Sequence, residues 1–139
     1  MSTPAKRSVS DLLVVSEEPG FIVRMQELLR HDGVEVRGCL GPANNPCSLK
    51  LEGICPLAQG ADLVLVDSPR SGSFIYEWAS MPAGDYAERL SHAHPGRPVI
   101  LCGAPVGSSG AVGEVTHIEN RAAALDFLHV LLGAARAAV

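Results

Sequence analysis

Short hydrophobic runs of two kinds recur along the chain, and together they predict a sheet. Residues 12–15 (LLVV), 63–66 (LVLV) and 99–101 (VIL) are continuously apolar. Runs of this length, rich in Val, Leu and Ile, suit strands covered on both faces. Residues 34–37 (VEVR) and 114–118 (EVTHI) alternate apolar with polar positions instead. That pattern suits strands at the margin of the sheet, with one side nearer to water.

Helical periodicity falls between these runs. Phe21, Met25, Leu28 and Leu29 repeat at helical spacing, with Pro19 at the start and Gly33 just past the end. Tyr86 and Leu90 mark a second helix within AGDYAERLSHAH, which ends before Pro95. In the tail from residue 121, Leu125, Leu128, Leu131 and Leu132 form an apolar stripe, and Asn120 is placed to cap that helix. Strand alternating with helix predicts an α/β fold with a parallel sheet and right-handed crossovers. Three covered strands and two marginal ones match the doubly wound five-stranded order 2-1-3-4-5. The loop 103–113, GAPVGSSGAVG, is expected to replace most or all of one helix.

At 139 residues the chain fits a single domain spanning 1–139, with 1–10 expected to be flexible. Hydrophobic residues make up 47% and charged residues 19%, which predicts a packed core rather than disorder. A net charge of −4, with Lys6-Arg7 as the only basic cluster, argues against a nucleic-acid partner. No apolar run reaches the ~18 residues of a membrane span and no signal-peptide pattern is present, so no membrane partner is expected. A cytoplasmic location follows as the expectation. In that compartment clustered cysteines point to metal or redox chemistry before structural disulfides.

Three of the four cysteines do cluster. Cys39, Cys47 and Cys55 stand at even intervals within 39–60, a stretch that also holds Gly41, Pro42, Pro46, Gly53 and Pro56. This segment should be the second crossover, yet only one short helical turn opening at Pro56 fits it. An irregular crossover of this length calls for an external staple or a function. Zinc or an iron–sulfur cluster would supply the staple, since thiolates bind both. The spacing lacks the Cys-x-x-Cys typical of such sites, so a thiol redox switch and plain burial stand beside the metal reading.

In a doubly wound sheet, function gathers at the carboxyl ends of the strands. Those ends are Ser16-Glu17-Glu18, Cys39, Asp67-Ser68, Cys102-Gly103 and Glu119-Asn120. No Gly-x-Gly-x-x-Gly and no hydroxyl-rich phosphate loop follows the first strand, so neither NAD nor FMN is expected. No Cys–His or Ser–His–Asp spacing marks a catalytic set, and an enzyme is the less favoured reading.

The order and placement of these residues resemble a response-regulator receiver domain over almost the whole chain. The resemblance implies a regulatory module that signals to a protein partner. It implies a phosphoacceptor at Asp67 in LVLVDSP, and Mg²⁺ held by Glu17, Glu18 and Asp67 only if that chemistry is retained. The chain departs from the pattern at two places. Gly103 or Cys102 stands where a small hydroxyl residue is usual, and Glu119-Asn120 stands where a Lys-Pro is usual. A Glu has the wrong sign beside a phosphate. The chain therefore resembles a degenerate receiver, a pseudo-receiver with a cysteine-based metal, cluster or redox site at Cys39, Cys47 and Cys55. Two alternatives accompany that reading: a phosphorylatable stand-alone receiver using Asp67, and a cysteine-dependent enzyme at the strand ends. Trp78 with Phe74, Ile75 and Tyr76, and the Ala- and Leu-rich last helix, are candidate partner or homodimer faces.

Overall fold

The computed structural model describes residues 11–43, 47, 49, 53–76, 79–103 and 115–137. Five strands form one parallel sheet: β1 (Asp11–Val15), β2 (Glu35–Cys39), β3 (Leu63–Asp67), β6 (Val99–Cys102) and β7 (Val115–Ile118), in the order β2-β1-β3-β6-β7. Counted along the main sheet, this is the doubly wound order 2-1-3-4-5. The three continuously apolar runs are the three central strands, and the two alternating runs are the edges.

Side chains alternate across a strand, so each central strand feeds two separate cores. Leu13, Val15, Val64, Val66, Val99 and Leu101 face one side. The second crossover, a hairpin, and helix α3 (Ala83–Ala93) cover that side through Cys47, Cys55, Phe74, Met81, Tyr86 and Leu90. Leu12, Val14, Leu63, Leu65, Ile100 and Cys102 face the other side. There α1 (Pro19–Arg30) contributes Ile22, Met25 and Leu29, and α4 (Arg121–Ala137) contributes Ala124 and Leu128.

The local signals explain the elements. Pro19 opens α1, where its missing N–H is not needed. Asn120 caps α4, its Oδ1 accepting from the Ala123 N–H at 2.8 Å. Pro56 opens α2 (Pro56–Gln59), a single turn in the second crossover. A 3₁₀ turn at Gly41–Ala43 precedes it. Gly41 has φ +73°, and a Cβ there would stand 3.1 Å from Val15 Cγ1, so the chain can hug the sheet at this point only without a side chain.

The hairpin is a departure from the sequence reading. Strands β4 (Ser73–Tyr76) and β5 (Ala79–Pro82) form a separate two-stranded antiparallel sheet, pairing Phe74 with Met81. Its apolar residues read equally as core packing or as a partner surface; alternation divides them, sending Phe74 fully into the core and leaving Ile75 63% exposed. Phe74 meets Tyr86 with ring centroids 5.3 Å apart. The expectations for residues 1–10, for the loop 104–114 and for Trp78 lie outside the described residues.

Candidate functional site

The carboxyl ends of β1 and β3 lie side by side, and each hands its ladder on by one residue. Ser16 N–H donates to Cys39 O at 2.9 Å, and Ser68 N–H donates to Cys102 O at 2.9 Å. This fixes Ser16 and Asp67 as neighbours although 51 residues separate them. Both are buried, Ser16 fully and Asp67 to 4% exposure. A carboxylate so placed must be paired.

Its partners are Ser16 and Arg121. Ser16 Oγ donates to Asp67 Oδ2 at 2.8 Å and accepts from the Glu18 N–H at 3.1 Å. Arg121, the first residue of α4, donates from Nε to Asp67 Oδ1 at 3.0 Å and from Nη2 to Oδ2 at 2.7 Å. The two bonds form a planar fork, the strongest geometry available to this pair. Nη2 also reaches Glu18 Oε2 at 2.7 Å. The guanidinium sits 4.2 Å from the centre of the Phe21 ring, a cation–π contact. The hydrogen bonds from Asp67 push the Arg121 pKa above its usual value, burial works against this, and Glu18 adds to the rise.

The acidic residues expected to hold Mg²⁺ are thus divided. Both Glu17 and Glu18 are exposed, and Glu18, the N-cap of α1, is engaged by Arg121. Glu119 is exposed too. Arg121, two residues past Glu119 on the first turn of α4, brings a cation to these strand ends. Sequence reading passed over Arg121 and named Ser16 only as part of a strand end, with no role of its own. The available signal was Arg121 directly after the Asn120 cap, where α4 must start beside the strand ends.

The three clustered cysteines are all buried, 6–8% exposed, in one apolar core with Tyr86. Cys39 ends β2, and its Sγ accepts from the Gly41 N–H at 3.3 Å. Cys55 precedes α2, and its backbone N–H donates to His94 Nε2 at 3.0 Å. Of His92 and His94, the sequence pair before Pro95, only His94 turns inward. Burial lowers the His94 pKa, and Arg97 lowers it further. Burial raises the Tyr86 phenol, and the charges that Cys39, Cys47 and Cys55 would carry raise it further. Among the described residues no three Cys, His, Asp or Glu side chains stand close enough together to hold a metal ion. Cys102 is fully buried on the opposite face of the sheet, and burial followed by Asp67 pushes its thiol up to about 11.

No protein-family model and no curated protein matches the chain. Solved structures do match in fold. A receiver domain from Clostridium thermocellum is 14% identical, covers 94% of this chain and 100% of its own, and gives a TM-score of 0.56. A protein ascribed to pilus assembly in Burkholderia thailandensis is 19% identical, with coverage of 92% and 98% and a TM-score of 0.58. A response regulator from Burkholderia pseudomallei, solved with a phosphorylated aspartate, calcium and citrate, is 14% identical, with coverage of 93% and 70% and a TM-score of 0.58. The chain has the flavodoxin-like fold of receiver domains. No helix among the described residues is long and apolar enough to cross a membrane.

Proposed function

We propose that this chain is a non-enzymatic regulatory module, a pseudo-receiver that passes a state to a protein partner. One observation carries the reading: both oxygens of the buried Asp67 carboxylate are already engaged, by the Arg121 fork and by Ser16. A phosphoacceptor must present a free carboxylate oxygen to the phosphorus, with a divalent cation beside it. Here a fixed guanidinium stands where charge compensation is needed, and it also holds Glu18. The fold is shared with a protein ascribed to pilus assembly as well as with response regulators, so the fold itself does not require phosphoryl chemistry, and the reading rests on the engaged carboxylate.

The thiols of Cys39, Cys47 and Cys55 are the proposed input. Their common core with Tyr86 includes residues of the second crossover itself, so a change in thiol state would repack that crossover. The absence of a gathered ligand set among the described residues favours oxidation over a resident zinc or iron–sulfur cluster. In that step two thiols would lose two electrons and two protons to an oxidant such as a peroxide, which leaves as water. Metal content and thiol count of protein purified without oxygen, with Cys47→Ser as the comparison, test this input.

A second reading keeps Asp67 as a phosphoacceptor, with Arg121 swinging out to meet the phosphoryl group. The 41% exposure of the Arg121 side chain favours it, and the Burkholderia pseudomallei response regulator shows a phosphorylated aspartate within this fold. Beryllofluoride with Mg²⁺ separates the two. A site that admits this phosphoryl mimic gains thermal stability by mass action. A closed site gives the same Tm with and without it, as the pseudo-receiver reading requires.

A further inference from the structure

The outer rim of β2 carries no paired strand among the described residues, although α1 engages it at two points, Gln26 Nε2 on Val36 O at 3.0 Å and Val34 N–H on Leu29 O at 3.2 Å. β2 is an end strand, with β1 on one side and, among the described residues, no strand on the other. The Cys39 carbonyl faces β1, where it accepts from Ser16. Peptide groups alternate in direction along a strand, so those of Glu35 and Arg37 also face β1. Those of Val36 and Gly38 therefore face outward. The Val36 carbonyl confirms this polarity, since it accepts from Gln26 Nε2 of α1 at 3.0 Å. Open rims of this kind template the addition of a further strand.

We propose that this rim pairs with the same rim of a second copy of the chain, antiparallel and centred on Val36. Two features select that occupant. The first is polarity: Val36 meeting its symmetry mate allows the two Val36 peptide groups to exchange hydrogen bonds, and Gly38 then faces Val34 of the other copy, whose carbonyl can accept from the Gly38 N–H while its own N–H stays on Leu29 O. The carbonyl's second lone pair lets the Gln26 bond persist. The second is charge. In this register Glu35 lies directly opposite Arg37 of the other copy, and Arg37 opposite Glu35. Within one chain these residues are exposed and only loosely paired at 3.9 Å. Across the two-fold they form two opposed pairs at the closer, non-hydrogen-bonded positions of the ladder. Val23 adds an apolar shoulder: it is 50% exposed and lines both grooves that run between α1 and this rim. The contact is isologous and closes at two copies.

Sedimentation of the full chain tests the pairing. The wild type is expected to dimerise. Arg37→Glu places four like charges across the axis and is expected to weaken the dimer roughly tenfold or more. Adding Glu35→Arg to that variant restores opposite charges and should restore dimerisation. Hydrogen exchange at the Val36 and Gly38 amides should slow as protein concentration rises. A wild type that stays monomeric overturns the proposal. So does a dimer indifferent to Arg37→Glu, which would place the contact on another face, and so does a double variant that fails to recover.

Discussion

Arg121 and Asp67 stand 54 positions apart in sequence and meet as a fork, Nε on Oδ1 at 3.0 Å and Nη2 on Oδ2 at 2.7 Å. The pair joins the start of α4 to the end of β3. Removing the guanidinium leaves a buried carboxylate with Ser16 alone as a partner. Arg121→Ala should therefore cost about 2 kcal/mol of stability, less than for a wholly buried pair because water can reach the guanidinium side. Arg121→Lys keeps the charge and loses the fork, so its urea midpoint should fall between those of the wild type and Arg121→Ala.

Alkaline pH should loosen the fold from the other side of the same strand end. Cys102 is held protonated up to about 11, first by burial and then by Asp67, against 9.0 for an ordinary cysteine. Tyr86 is raised above its usual 10.0 by burial and by the neighbouring thiols. Between the unfolded and folded values, the unfolded chain has lost protons that the folded chain retains. Stability is therefore intact below pH 9 and declines as pH rises above it. Urea midpoints across pH 8 to 11 should fall steadily, and less steeply in Cys102→Ala.

Thiol reactivity should divide along the sheet. Cys102 is fully buried and resists ionisation, so an alkylating reagent at neutral pH should modify it only at the rate of unfolding. Cys39, Cys47 and Cys55 keep a narrow opening to solvent at 6–8% exposure. Mass spectrometry after timed alkylation should find these three labelled first. Labelling of Cys102 alongside them would contradict the burial described.

The close approach of β2 to α1 depends on Gly38. A Cβ there would stand 2.4 Å from Ile22 Cγ2 and 3.0 Å from its Cδ1. Gly38→Ala should cost roughly 1–3 kcal/mol through overpacking. Combining it with Ile22→Ala removes the clashing methyl groups, so the two substitutions should be less damaging together than their sum.

Much of the fold was legible because the sheet is wound in a simple way. The runs at 12–15, 63–66 and 99–101 are apolar at every position because helices or loops cover both faces. That fact alone separated central strands from edges. The hairpin at Ser73–Tyr76 and Ala79–Pro82 was not legible: four-residue strands are too short to show a period, and Phe74 and Ile75 read alike until one is buried and the other is not. The site was half legible. Asp67 announced itself at the end of an apolar run. Arg121 did not, because its role comes from where α4 begins in space. Ser16 stood at a named strand end but carried no role, since a serine after a strand is ordinary until an aspartate is found 2.8 Å away. The even spacing of Cys39, Cys47 and Cys55 suggested one site. The structure puts all three in one buried core around Tyr86.

The most direct test of the closed site is phosphoryl uptake from a small-molecule phosphodonor with Mg²⁺, read by intact mass on the wild type, Arg121→Ala and Asp67→Asn. The wild type is expected to take up no phosphoryl group, because Asp67 never presents a free oxygen. Uptake confined to Arg121→Ala would show the guanidinium to be the lock. Stoichiometric labelling of the wild type that disappears in Asp67→Asn would contradict the account and make this chain a working receiver.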